Sequence, residues 1–258
     1  FLRARGFDID KAERMFRDRM TWVHRFKPHM IRKCDIADYV RSGQLFVHGR
    51  DDFGRPVIIY KMRDHVHDER SDPGHGRFWR FVIYFVEKTV RYLLPMPPHD
   101  QLVVLLDRED ATDQNADMVA LKKVIQVADY YPETLGAICV LYPNLLFKLL
   151  FPLAKNFIDV NSLRKIHIIK SSRPDGIAHK LASKYHFSQV KRENLLEEHG
   201  GTIELDQARR LVRDMSIEHV AYANTVTLSG ANSNSFGEDD EQTPEEFTPS
   251  QALVVIDD

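Results

Sequence analysis

Between Tyr130 and Lys165 the chain reads YYPETLGAICVLYPNLLFKLLFPLAKNFIDVNSLRK, a stretch that permits very few structures. Almost every residue from Leu135 to Ala154 is apolar, long enough on length alone to invite a membrane span. Pro143, Asn144, Lys148 and Pro152 interrupt it, and Ile138 to Tyr142 is strand-prone. The parse that satisfies both facts is a buried strand over Ala137 to Leu141, a Tyr-Pro-Asn break, then a short helix. Such a helix is apolar on nearly all sides, so it must be covered by protein or meet something greasy.

The surrounding sequence supplies alternating elements. Ile9, Ala12, Phe16, Val23 and Phe26 recur at helical spacing, with Asp10 and Glu13 resembling a capping box, and Pro28 ends that helix. Leu45 to His48 and Val57 to Tyr60 are short strands around a turn containing Asp51, Asp52 and Gly54. Phe78, Val82, Phe85, Thr89 and Leu93 mark a long helix, and Leu102 to Leu106 a strand buried on both faces and ending at Asp107. Met118, Leu121, Ile125 and Ala128 give the next helix, stopped by Pro132. A strand over Lys165 to Ile169 and a helix opened by Pro174, with Ile177, Leu181 and Tyr185 inward, complete the series. Helix and strand alternate from residue 76 onward, which predicts parallel strands with right-handed crossovers. Leu205, Ala208, Leu211, Val212 and Met215 predict a last amphipathic helix. From about Thr225 the chain is polar and acidic, the composition of a tail or linker. The apolar run Ala252 to Ile256 reads equally as the start of a further strand or as nothing structural.

Charge is unevenly placed. The formal net charge is −2, but no Lys or Arg follows Arg213 whereas ten acids do. Residues 1–213 therefore hold 36 bases against 28 acids, a net charge of +8. A basic body suits an anionic surface, nucleic acid or acidic lipid headgroups. No nucleic-acid motif or basic-aromatic interleaving is present, which favours lipid, with simple solubility as the plain alternative. Cys34 and Cys139 lack metal or redox spacing, so a reducing compartment is expected. Phe1 is not an initiator and the opening residues read as the middle of a longer helical region.

Enzyme motifs are missing: there is no nucleophile elbow, P-loop, dinucleotide fingerprint or zinc-protease pattern. Asp107, Glu109 and Asp110 follow a strand, where α/β enzymes place acids, but without a nucleophile they read better as a charge-pairing loop. His65, His67, Asp68 and His75 offer metal-ligand chemistry in no fixed pattern, and a solvated turn is the expectation. Catalysis and a metal or other cofactor are therefore not expected.

The segments FLRARGFDIDKAERMF, DDFGRPVIIY, YYPETLGAICVLYPNLLFKLLFPLAKNFID and ENLLEEHGG, in this order over residues 1 to 203, resemble the CRAL-TRIO family and its yeast-type phosphatidylinositol-transfer branch. The resemblance implies an α/β fold in which a mostly parallel twisted sheet floors an apolar lipid cavity, flanked by helices and closed by a mobile gate helix. It assigns the gate to Leu145, Leu146, Phe147, Leu149, Leu150 and Phe151, with residues 152–158 behind. It also implies a headgroup set of Arg5, Glu133, Ser162 and Lys165. A phosphodiester wants cationic donors, and inositol hydroxyls want an acceptor carboxylate with donors beside it. The expected division is a helical region at 1–43, a lipid-binding domain at 44–203, a helix at 204–222 and an acidic tail at 223–258.

Two positions depart from the family's pattern. Gly6 stands where a basic residue is usual, and Leu102 and Val104 stand where phosphatidylcholine-exchanging members carry hydroxyls. The expected activity is to bind phosphatidylinositol and transfer or present it, as a cytoplasmic protein touching anionic membrane transiently. Two alternatives stay open: another lipophile such as a sterol, retinoid or tocopherol, or a lipid-sensing tether whose acidic tail engages a protein partner.

Overall fold

The computed structural model describes residues 1–94, 100–158, 160–170, 174–185, 196–202 and 204. The amphipathic helix expected at 204–222, the acidic tail and the Ala252 to Ile256 run lie outside the described residues.

Helix α1 (Ile9–Phe26) opens on Asp8, whose side chain accepts from the Lys11 backbone N–H at 3.0 Å. Asp8 therefore caps this helix, two residues before the Asp10 box expected from sequence. The inward stripe is Ala12, Met15, Trp22 and Phe26, whereas Ile9 and Phe16 face outward. After the short helix α2 (Ala37–Ser42), strands β1 (Leu45–Arg50) and β2 (Pro56–Lys61) pair antiparallel as a hairpin. Asp51 closes its turn by accepting from the backbone N–H groups of Phe53 and Arg55 and from the Arg55 guanidinium. Then follow α3 (Gly76–Tyr92), β3 (Leu102–Asp107), α4 (Met118–Tyr130), β4 (Leu135–Leu141), α5 (Leu145–Ala154), α6 (Val160–Arg164), β5 (Ile166–Ile169) and α7 (Pro174–Tyr185). Helix α4 runs to Tyr130, just short of the Pro132 expected to stop it.

The described strands form one sheet in the order β1-β2-β3-β4-β5, parallel from β2 to β5. β3 is central, as its unbroken apolar run predicts. The register puts Ile58, Val104, Ile138 and Ile166 in one row, and Tyr60, Leu106, Val140 and Ile168 in the next, on the same face. Val57, Ile59, Val103, Leu105, Cys139, Leu141 and Ile169 point the other way. That second face is sealed, packed with Ile177 and Leu181 of α7 and with Leu196.

The first face is covered unevenly. Towards β1 and β2 it packs under Ile36, Val40, Phe78, Phe81 and Phe85. Towards β4 and β5 the cover thins: Val104, Leu106, Ile138 and Ile166 are half-buried and Ile168 is 37% exposed, with Val140 buried between them. Apolar strand residues left partly open in mid-sheet are costly in water, so this floor is shaped to be covered by something.

Candidate functional site

The chain between β4 and β5 runs beside this floor. It leaves β4 through Tyr142, whose φ of 50° puts a bulky residue in the left-handed region. Tyr142 is held there by its hydroxyl, which donates to the Glu198 carbonyl at 2.5 Å. Asn144 starts α5: its Oδ1 accepts from the Phe147 N–H at 3.0 Å and its Nδ2 donates to the Ala111 carbonyl at 2.7 Å. The guanidinium of Arg108 donates to Asn144 Oδ1 at 3.2 Å and lies over the Phe147 ring, 5.3 Å from its centre. Phe147 is buried and stacked on Phe151 at 4.9 Å.

On the same helix Leu145 and Leu149 are 70% and 63% exposed, one turn apart. The expected gate segment thus divides into an anchored aromatic side and an exposed aliphatic side. The side chains of Leu146 and Leu150 lie outside the described residues. Pro152 sits inside the helix, and a 3₁₀ turn at Lys155–Phe157 follows. No helix among the described residues is long and apolar enough to cross a membrane.

At the far end of this crossover two of the four expected headgroup residues pair, Glu133 and Lys165, with Ser162 of α6 three residues before Lys165. Glu133 has φ of 60°. Its neighbours fix that backbone: Gln101 Nε2 donates to the Glu133 carbonyl at 3.3 Å, and the Leu102 N–H donates to the Thr134 carbonyl at 2.8 Å. Lys165 Nζ lies 3.6 Å from Glu133 Oε2, with side chains 23% and 29% exposed. The Lys165 N–H donates to the Ser162 carbonyl at 3.1 Å, and its own carbonyl accepts from Ile138 at 2.8 Å. An acid and a base therefore meet at the amino-terminal ends of β4 and β5, beside the open floor. The pair is too loose and too wet to be a strong structural bond.

Arg5 is elsewhere. It lines a groove of about 440 Å³ with Lys11, Arg14, Met15, Asp18, Asp129 and Tyr130, and none of Glu133, Ser162 or Lys165 lines it. Gly6, next to it, has φ of 59° and ends a 3₁₀ turn by donating to the Arg3 carbonyl at 3.2 Å. The departure at this position thus serves the turn, since glycine takes that conformation freely. Tyr130 and Tyr131 belong to the packing: Trp22 stacks on Tyr130 at 4.1 Å, and Arg19 donates to the Tyr130 carbonyl at 2.7 Å.

The opposite end of the sheet carries a cluster of which sequence reading reached only the acids at Asp107 and Glu109. Lys61, at the end of β2, and Asp107, at the end of β3, are wholly buried and 2.5 Å apart. His199 Nε2 lies 2.9 Å from the same Asp107 oxygen, and Lys61 also pairs with Glu198. Arg63 extends the network to Glu198 and Glu109, each at 3.1 Å. Burial pushes the Asp107 carboxyl up, but His199 and Lys61 outweigh it and hold the group well below its ordinary range. Asp107 is thus the charge-pairing residue expected, in a core rather than a loop. The Cys139 thiol is buried and pushed up to about 12 by desolvation, which disqualifies it as a nucleophile. The solvated turn expected at the histidines is corrected by the structure: His65 and His75 are buried against Asp117, because Asn115 draws their segment inward.

The fold and site define an α/β domain with one sealed and one half-open sheet face, the open one flanked by a greasy crossover helix. The sequence pattern of the CRAL/TRIO domain matches residues 40–201, and the chain belongs to that family. Among curated relatives, a CRAL-TRIO domain-containing protein of Schizosaccharomyces pombe is 26% identical over 78% of this chain and 44% of its own length. The phosphatidylinositol/phosphatidylcholine transfer protein SFH4 of Arabidopsis thaliana is 28% identical over 66% of this chain, which spans 30% of that protein. A SEC14 cytosolic factor of Kluyveromyces lactis is 26% identical over 81% of this chain and 71% of its own length. The crystal structure of Sfh5 superposes with a TM-score of 0.58 at 16% identity, covering 84% of this chain and 82% of that one, a likeness of fold.

Proposed function

We infer that this domain takes up a phospholipid, phosphatidylinositol first, on the open sheet face and transfers or presents it between membranes. The observation that carries the reading is the half-open apolar floor of Val104, Leu106, Ile138, Ile166 and Ile168, with a hydrated acid-base pair at its edge. Buried apolar area is the only currency that matches a bilayer: at ~0.8 kcal/mol per CH₂, two acyl chains of about 30 methylenes hold a lipid by roughly 20 kcal/mol or more. A cavity of matched greasiness accepts the chains without a step of that size.

In this reading Lys165 donates to the phosphodiester while Glu133 and Ser162 meet inositol hydroxyls. The Glu133–Lys165 pair satisfies both groups until a ligand replaces it, and Arg5 supplies charge from its own groove. The exposed side of α5, Leu145 and Leu149, enters the acyl region when the basic body docks on anionic membrane. Phosphatidylcholine is a poorer cargo, because Leu102 and Val104 present methyls where a phosphate needs donors. The relatives named for phosphatidylinositol and phosphatidylcholine transfer support the lipid class.

The test is extraction of labelled phosphatidylinositol from vesicles by the intact chain, Lys165→Ala and Glu133→Ala. A lost charge-assisted contact contributes about 1.5–3 kcal/mol, so each variant should load more than about tenfold less well. Undiminished extraction by the double variant overturns the headgroup assignment. Equal displacement by phosphatidylcholine overturns the preference.

A further inference from the structure

Residues 62–75 link β2 to α3 on a path set by Asn115, whose Nδ2 donates to the carbonyls of Arg63 at 3.1 Å and His65 at 3.0 Å. That path brings His65 and His75 against Asp117, the residue that caps α4 by accepting from the Ala120 N–H at 2.8 Å, with His67 beside them. His75 Nε2 lies 2.5 Å and His65 Nε2 3.2 Å from Asp117 Oδ2, and His65 Nδ1 lies 3.2 Å from Gln44 Oε1. His67 stacks face to face on His75, ring centres 3.4 Å apart and planes within 14°. The outer nitrogen of His67 meets Glu69 at 2.9 Å.

Hydrogen bonding accounts for His65 completely. It leaves the Nδ1 atoms of His67 and His75 buried with no partner. Two unsatisfied ring nitrogens side by side are an expensive arrangement for a cluster whose only purpose is packing. His67, His75 and Asp117 each offer one donor atom, and the three lie within 4.8 Å of one another.

We propose that His67, His75 and Asp117 form a binding site for a divalent transition-metal ion, zinc foremost. Two imidazoles and one carboxylate select zinc, nickel, cobalt or copper over magnesium and calcium, which want oxygen alone. Zinc accepts three protein ligands with water as the fourth. Around a tetrahedral zinc with ligands at about 2.0–2.1 Å, donors sit roughly 3.3 Å apart. Closing the cluster from its present spread needs a movement of about 1.5 Å, the scale of one side-chain rotation. Stacked rings cannot aim two lone pairs at one ion, so one ring must turn. His67 is that ring, its side chain being 14% exposed against 4% for His75. The bound ion ties the 62–75 segment to the amino end of α4. The second group of possible ligands, Asp107, Glu198 and His199, is a different case, since the Lys61 ammonium already occupies its centre.

The intact chain, stripped with chelator and dialysed, is titrated with zinc chloride by calorimetry, with magnesium chloride as control. Saturable uptake of one zinc per chain without magnesium uptake is expected. His67→Gln removes the least buried ligand and should weaken zinc binding by more than the roughly 10–100-fold that a lost outer partner costs. X-ray absorption of the zinc-loaded unaltered chain should report two imidazoles and oxygen, a readout independent of any variant's folding. Unsaturable uptake, an unchanged affinity in His67→Gln, or a sulfur ligand from the exposed Cys34 overturns the site.

Discussion

The two ends of the parallel sheet hold charges in opposite ways. At the carboxyl ends of β2 and β3, Lys61 and Asp107 are sealed from water and share their charge with His199 and Glu198. At the amino ends of β4 and β5, Glu133 and Lys165 stand 3.6 Å apart and about a quarter exposed. Open α/β sheets usually receive ligands at the carboxyl ends of their strands. Here that end is filled by the chain's own segment 196–202, whose Glu198 and His199 pair with Lys61 and Asp107. Buried, fully paired charge is a lock, whereas loose, hydrated charge remains free to trade partners.

The largest expected effect breaks the sealed end. Lys61→Ala leaves the buried Asp107 carboxylate short of a partner and should cost about 3–5 kcal/mol in denaturant unfolding. The same end sets the acid limb of stability. Asp107 has a folded pKa below its unfolded value. Its contribution is therefore whole above about pH 4 and is lost as pH falls through the folded value. Asp107→Asn should flatten the stability curve below about pH 4; an unaltered acid limb would place that titration elsewhere.

Gly200 is the next test. Its φ is 85°, and an added Cβ would meet the Ala178 Cβ at 2.7 Å and the Pro174 carbonyl oxygen at 2.8 Å. Gly200→Ala should destabilise by about 1–3 kcal/mol through the αL conformation alone, and more through the clash, read as a lower melting temperature. The open end should respond differently. Lys165→Ala should change stability by less than about 1 kcal/mol while depressing lipid loading. A large loss of stability there would make both ends structural and erase the contrast. Smallest of all, Leu145→Ser with Leu149→Ser should stay within about 0.5 kcal/mol of the parent because both side chains are exposed, yet reduce flotation with anionic vesicles. Flotation unchanged by this pair would move the membrane contact off α5.

Every described strand of the sheet was legible in the sequence, because periods of 2 and 3.6 and an unbroken apolar run are local properties. Glu133, Ser162 and Lys165 were legible only through resemblance, and the approach of Lys165 to Glu133 depends on β4 pairing with β5. Of the sealed cluster only the pairing role of Asp107 was legible, and none of its partners. Lys61 and Asp107 are 46 positions apart and Lys61 and Glu198 137, distances across which no local pattern carries information. The histidine segment was misjudged for a related reason: its polar composition promised water, but Asn115, 50 positions away from His65, pulls it inside. Which side of α5 is anchored was likewise hidden, since Leu145 and Phe147 look alike until Arg108 chooses between them.

Asp107 and Arg108 are consecutive. In extended backbone neighbouring side chains leave on opposite sides, and here one enters the sealed cluster while the other grips the root of α5 through Asn144 and Phe147. A single peptide unit is therefore a pivot with a fixed arm and a working arm. The place of the root of α5 is thereby referred, through one peptide unit, to the buried cluster at the end of the sheet.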